Sequence, residues 1–124
     1  MTIEEYNEEL GILRENLKAC RQTKQNIILE QEILNSINVY NGCEREALRL
    51  RTYVNEKSRL NSDMIDHLTW AMMHLKNNKE ADQSYSLYLK MYKALAKQYI
   101  KIATDKDFLM LADKYIGDTS MFVK

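Results

Sequence analysis

Apolar residues near the N-terminus recur at alternating spacings of three and four, the pattern of one face of an α-helix. The recurring positions are Ile3, Tyr6, Leu10, Leu13, Leu17 and Cys20. This spacing is typical of a coiled coil, in which apolar residues repeat every seven positions and meet a partner helix. Thr2 and Glu5 match the capping box that begins a helix. We refer to this apolar face as the N-terminal stripe.

A second apolar stripe follows the first but lies on a different side of the predicted helix. It is made of Ile27, Leu29, Ile33, Leu34, Ile37 and Tyr40, and the polar residues 21–26 separate it from the N-terminal stripe. A heptad drift of about 20° per repeat does not account for the rotation. Because no glycine or proline interrupts residues 21–26, the pattern favours one long helix that changes partner halfway over a helix that bends. Residues 1–26 are then predicted to project as a coiled-coil arm.

The rest of the chain predicts several shorter helices. A turn at Asn41-Gly42 precedes a helix expected over residues 44–60. The sequence Asn-Ser-Asp at 61–63 is typical of a helix N-cap, so a separate helix is expected over residues 63–76. Residues 80–103 predict an amphipathic helix, and Thr104 is expected to cap a short last helix that ends at Gly117. Residues 118–124 are predicted to form a loose tail.

These elements predict an all-α fold, a small bundle of four to five helices with a long N-terminal helix that carries a coiled-coil-like seam. The 124 residues are enough for a single domain over residues 1–124. The chain has no proline and three glycines, so it has little material for the many turns that a β-sandwich or barrel requires.

The apolar positions also predict self-association, with a homodimer favoured. The N-terminal stripe requires a partner helix, and the helix over residues 63–76 is apolar on nearly every side. Burial of that helix in the chain's own core is the alternative interpretation. The positions expected at the subunit interface are Ile3, Tyr6, Leu10, Leu13, Leu17, Trp70 and Met73.

Charge is balanced over the whole chain but not along it. Eighteen basic and eighteen acidic residues give a formal net charge of zero, which excludes a global attraction to nucleic acids or anionic membranes. Two local groups remain as hypothetical partner-binding surfaces. One is the lysine row Lys90, Lys93, Lys97 and Lys101, and the other is the acidic group Glu4, Glu5, Glu8 and Glu9. The alternatives are a solvated outer face for the lysines and helix-dipole compensation for the glutamates.

The sequence predicts no catalytic residue, no metal site and no cofactor. Phosphate-binding loops need closely spaced glycines, which are missing. Cys20 falls in the N-terminal stripe and is expected to be a buried thiol. His67 and His74 are seven residues apart, without the Glu-x-x-His repeat of di-iron bundles.

No apolar run reaches the roughly 20 residues that span a bilayer, and the N-terminus does not resemble a signal peptide. A cytoplasmic protein without a membrane partner is therefore predicted.

The leading functional hypothesis is a non-enzymatic interaction protein, a small regulator or inhibitor that binds another protein. A bias toward Lys, Asn, Ile, Tyr and Glu is typical of AT-rich genomes and favours a bacterium, its phage or another mobile element as the source. An inhibitor of a bacterial defence system fits this profile. The first alternative is a nucleic-acid-associated protein that uses the lysine row to neutralise phosphates. The second alternative is a helical-bundle metal protein or enzyme.

Overall fold

The computed structural model describes residues 2–40, 44–78 and 83–116. Within these ranges, all residues except Thr2, Thr104 and Asp105 lie in four helices and none lies in a strand. The helices are α1 (Ile3–Tyr40), α2 (Glu44–Asn78), α3 (Gln83–Ala103) and α4 (Lys106–Ile116). The prediction of an all-α fold is therefore confirmed for the described part of the chain. The predicted turn at Asn41-Gly42, the helix end at Gly117 and the loose tail lie outside it.

Helix α1 runs unbroken through the polar residues 21–26, as predicted. The Thr2 hydroxyl accepts a hydrogen bond from the Glu5 amide at 3.1 Å, which satisfies one of the free amides of the first turn. Residues of the two apolar stripes lie in two different core clusters, which we call the first core and the second core. Leu17 lies in the first core, together with parts of α2 and α3, and Leu34 lies in the second core, with parts of α2 and α4. The long helix thus changes partner halfway along its length.

The prediction that residues 1–26 project as an arm is wrong. Leu10, Leu13 and Leu17 are buried in the first core, where α2 contributes Leu68 and Leu75. Tyr6 packs against the edge of the same core, whereas Ile3 is 79% exposed. The partner that the N-terminal stripe requires is therefore the chain's own α2–α3 pair, whose apolar side chains cover it. These leucines are not available on the surface for a second copy.

The two helices predicted over residues 44–60 and 63–76 are one continuous helix, α2. The residues taken as an N-cap instead make contacts that a helix accommodates. Asn61 is buried, and its side-chain nitrogen donates to the backbone carbonyl of Cys20 at 3.1 Å. Asp63 pairs with Arg59 one turn earlier, at 3.4 Å. Because residues 61–63 contain neither glycine nor proline, nothing in their backbone forces the helix to end.

Helix α4 begins one residue later than predicted. The side chain of Asp105, not that of Thr104, accepts the hydrogen bond from the Phe108 amide, at 2.9 Å. The Thr104 hydroxyl instead donates back to the carbonyl of Ile100 at 2.7 Å. This cap directs Phe108 into the second core, where it is 1% exposed.

Candidate functional site

Four aromatic side chains of α2 and α3 lie together, of which Trp70 is exposed and the other three are half-buried. The Tyr88 ring is at their centre, with ring-centroid distances of 5.2 Å to Trp70, 5.9 Å to His67 and 5.4 Å to His74. Trp70 also contacts His67 edge-on at 5.3 Å. These geometries are those in which aromatic pairs attract each other beyond simple apolar burial. We refer to the four residues as the aromatic face.

Exposed apolar side chains surround the aromatic face. Trp70 is 41% exposed and Met73, one turn further along α2, is 49% exposed. On α3, Leu87 and Met91 are neighbours of Tyr88 along the helix and are 54% and 42% exposed. The interpretation that residues 63–76 are buried on every side is therefore wrong for Trp70 and Met73. Tyr88 is half-buried and also packs against the first core, and sequence reasoning did not anticipate its contacts with the rings of α2.

The lysine row lies on another side of α3 from Tyr88, because the four lysines are rotated from it by about 140–180° around the helix. Lys90, Lys93, Lys97 and Lys101 are all exposed, and none of them forms an ion pair with another described residue. Helix α3 contains no aspartate or glutamate, so these four positive charges are not balanced within the helix. Lys90 follows Leu87 by three residues, which places its ammonium group beside the exposed apolar side chains.

The N-terminal glutamates do not act as one group. Glu4, Glu5 and Glu8 are exposed, as expected for an acidic first turn. Glu9 is half-buried and accepts a hydrogen bond from the hydroxyl of Tyr85 on α3. Burial, followed by this contact, raises the pKa of Tyr85. Glu9 therefore joins α1 to α3, and only the first three glutamates are available to a partner.

A buried ion pair lies where the four helices meet, and sequence reasoning missed it. Lys57 Nζ is 3.1 Å from each carboxylate oxygen of Glu30, and the two side chains are 0% and 3% exposed. The ammonium group also lies 5.2 Å from the centre of the Phe108 ring. The sequence contains a signal for this pair, because Glu30 and Lys57 continue the apolar stripes of α1 and α2 at helical spacing. The pair is closed to solvent, which fits a structural role.

Tyr99 of α3 lies beside this junction. Burial and, to a smaller extent, the negative charge of Glu30 raise the pKa of Tyr99 to about 12. A hydrogen bond with Thr23 acts in the opposite direction. Because the ordinary pKa of tyrosine is about 10, the folded protein holds this proton more tightly than the unfolded chain does.

The stability that the neutral Tyr99 contributes should be lost at alkaline pH. A group whose pKa is raised by folding contributes fully below its unfolded pKa, and this contribution disappears as pH rises through the folded value. The urea midpoint, followed by helical circular dichroism, should therefore fall between about pH 10 and pH 12. Tyr99→Phe should make that fall less steep. An equally steep fall in the variant would contradict the assignment.

The outer side of α1 forms a basic groove with α2. The groove has a volume of about 500 Å³ and is lined by the cations Arg14, Lys18 and Arg21 together with Met72. All three cations are exposed and form no ion pair within the described ranges. Sequence reasoning noticed only that residues 21–26 are polar, because the three cations are spread over two turns and interrupted by apolar residues that face inward.

The remaining chemistry-bearing residues have local partners. Cys20 is buried, and burial raises the pKa of its thiol, which disfavours the reactive thiolate. Nδ1 of His67 lies 2.7 Å from the carbonyl oxygen of Asp63, so this nitrogen carries a proton and donates. In the part of the chain that the structure describes, no three His, Cys, Asp or Glu side chains come together as a metal site. Cys43 lies outside that part.

None of the helices described combines the length and the apolar character that crossing a bilayer requires. Comparisons of the chain with protein-family models, with curated proteins and with solved structures found no match.

Proposed function

We propose that this protein is a non-enzymatic interaction protein that binds a partner protein through the aromatic face. The observation that carries the proposal is the exposure of Trp70 within a cluster of rings, bordered by three further exposed apolar side chains. Single exposed apolar residues are ordinary on protein surfaces, but a contiguous group of them is typical of a binding site.

The residue types on this face are those that contribute most at protein interfaces. Tryptophan and tyrosine are enriched among the residues whose truncation costs the most binding energy, and methionine adapts its shape to a partner. The ring contacts of Tyr88 hold Trp70 in place, so less side-chain freedom is lost on binding. The face therefore offers a partly ordered apolar anchor.

The lysine row defines the chemistry of the partner. Lys90 is exposed and lies about one turn from the exposed Leu87, and Lys97 lies about two turns further along the same side of α3. A partner with an apolar centre and an acidic border matches this arrangement. Opposite charges at the border steer association and discriminate against basic competitors.

Trp70 is the only tryptophan in the chain, so its fluorescence reports directly on this face. We expect an amphipathic helical peptide with a leucine face bordered by glutamates to shift the Trp70 emission to shorter wavelength, more weakly as salt is added. The pair Lys90→Glu and Lys97→Glu should lower the affinity by about tenfold or more, equivalent to about 1.4 kcal/mol. Met73→Ala should weaken binding as well.

Two controls distinguish binding at the aromatic face from nonspecific hydrophobic binding. Leu48→Ala removes a more exposed apolar side chain of α2, 22 residues from Trp70 and thus about 33 Å away along the helix, and should leave the affinity unchanged. A peptide of the same apolar face bordered by lysines should not bind. If the acidic peptide leaves the Trp70 emission unchanged, or if both peptides bind equally, the proposal is wrong.

A second candidate function is binding to single-stranded nucleic acid. The observation in its favour is that α3 carries four exposed lysines and no acidic residue. Lysines of this kind neutralise phosphates without reading bases. In the same titration, a salt-sensitive response of Trp70 to a DNA oligonucleotide, lost in the double lysine variant, would favour this function over peptide binding.

The cellular role that fits the leading proposal is that of a small regulator or inhibitor. Its support is the chain's size, the AT-rich bias of its composition and the concentration of its distinctive residues on a surface. We extend the proposal to a protein encoded by a phage or another mobile element, acting in the cytoplasm on a bacterial protein such as a component of a defence system.

A further inference from the structure

A second row of positions with heptad spacing runs along the outside of α1. Its members are Glu4, Asn7, Gly11, Arg14, Lys18, Arg21 and Gln25. We refer to it as the outer row; apart from Gly11, which is half-buried, its members are all exposed. The spacing places these side chains on one face of the helix, away from the N-terminal stripe. All members of the outer row are polar or glycine, so a helix pairing along it would rely on charge complementarity and not on the apolar seam of a coiled coil.

Charge divides the outer row into two halves. The N-terminal half is acidic, because Glu4 belongs to the row and Glu8 lies beside it. The C-terminal half is mainly basic, because Arg14, Lys18 and Arg21 follow each other at helical spacing, with the exposed Glu15 beside them. In an antiparallel pair of these helices, the acidic half of each copy therefore faces the basic half of the other.

Gly11 lies between the two halves and has no explanation within the chain. A Cβ added at Gly11 would meet no atom within 4 Å, so packing in the chain does not require a glycine there. Glycine inside a helix is destabilising relative to alanine. Small residues at a helix surface allow the backbone of another helix to approach closely.

We propose that two copies of the chain pair antiparallel along the outer row and cross next to Gly11, which then faces Arg14 of the second copy. With the two-fold axis between residues 12 and 13, Glu4 lies opposite Arg21 of the second copy and Glu8 lies beside Lys18. The same register brings the exposed Ile3 of the second copy to the basic groove, which Met72 lines. The proposal is independent of the proposed function, because it uses α1 and not the aromatic face.

Charge reversal tests the pairing directly. Glu4→Lys with Glu8→Lys gives one variant, and Lys18→Glu with Arg21→Glu gives another. Like charges then face each other at every proposed contact, so each variant alone should dimerise about a hundredfold more weakly or worse. Mixed in equal amounts, the two variants restore opposite charges at every contact and should form a heterodimer. Light scattering at low salt measures all three masses.

Arg45→Glu with Lys106→Glu is the matched control, since it reverses two exposed charges of α2 and α4 and should leave the dimer mass unchanged. Helical circular dichroism verifies that each variant is folded. The proposal is overturned if the wild-type chain is a monomer at low salt and high concentration. It is equally overturned if both reversed variants keep the dimer mass, or if their mixture remains monomeric.

Gly11→Gln provides a second test that does not depend on charge. The added side chain meets open space within the monomer, so the monomer should unfold at the same or a higher urea concentration. At the crossing point it should separate the two helices and weaken the dimer. A variant that dimerises as tightly as the wild type would show that the helices do not cross at this residue.

Discussion

Replacing Lys57 with methionine should destabilise the protein by about 3–5 kcal/mol at neutral pH, since removal of one partner of a buried pair leaves the other charge uncompensated. Methionine keeps most of the lysine stem, so the loss reports on the ammonium group, including its contact with the Phe108 ring. Glu30 would then be a carboxylate that is 3% exposed and has lost the partner to which both of its oxygens are bonded. Urea unfolding followed by circular dichroism measures the change.

The same loss should shrink at acidic pH. Burial raises the pKa of Glu30, and the ammonium of Lys57 offsets only part of that rise. Without Lys57 the offset disappears, so Glu30 gains a proton more readily and becomes neutral. A raised folded-state pKa favours the folded state most at low pH, so the cost of Lys57→Met should be smaller near pH 4 than at pH 7.

Two further variants test whether the loss of stability comes from the unpaired buried charge of Glu30. Lys57→Met combined with Glu30→Leu replaces the whole pair by apolar side chains and should recover most of the stability, because such replacements are often neutral or better. Arg59→Met removes an exposed cation that pairs with Glu56 and Asp63, and it should have a far smaller effect because water screens exposed pairs. A single Lys57 variant as stable as the wild type would contradict the assignment of a buried pair.

Leu13→Ala should cost about 2–5 kcal/mol of unfolding free energy, the range found when a buried leucine is truncated and a cavity remains. Leu13 is 1% exposed and lies in the first core with side chains of α2 and α3. If the N-terminal stripe were a subunit interface, Leu13→Ala would dissociate the subunits with little loss of helix stability. The structure predicts the reverse, a lower urea midpoint in a chain of unchanged mass.

Ile12 is the matched control, since it is the adjacent residue, also aliphatic, but 49% exposed. Ile12→Ala should change the stability by no more than about 0.5 kcal/mol. Equal losses at residues 12 and 13 would mean that α1 does not present the side chains of the N-terminal stripe to the first core.

The sequence predicted the features of α1 that depend on local chemistry. Thr2 begins the helix with its hydroxyl, and residues 21–26 continue it because their side chains do not break a helix. The apolar stripe through Leu10 and Leu17 was also identified correctly as a packing face. Its partner was not, because periodicity describes one face of a helix and carries no information on which helix covers it.

The contacts missed by sequence reasoning are those between residues far apart in the chain. Asparagine is common at helix ends, so the sequence predicts a cap at Asn61. In the structure its side chain instead donates to the carbonyl of Cys20, 41 residues away in the chain. Glutamate and lysine usually lie on the surface, and only the packing of the second core makes Glu30 and Lys57 a buried pair. Trp70 was predicted to be at an interface, and it lies on a surface. Its ring neighbour Tyr88 comes from another helix, and the spacing of α3 alone does not predict that contact.

The continuity of α2 has a consequence for how the molecule unfolds. Its N-terminal half supplies the second core and its C-terminal half supplies the first core, with no loop between them to act as a hinge. Loosening either core exposes the helical segment that the other core depends on, and the buried Lys57 and Asn61 lie between them. We therefore expect the two cores to unfold together in one cooperative transition.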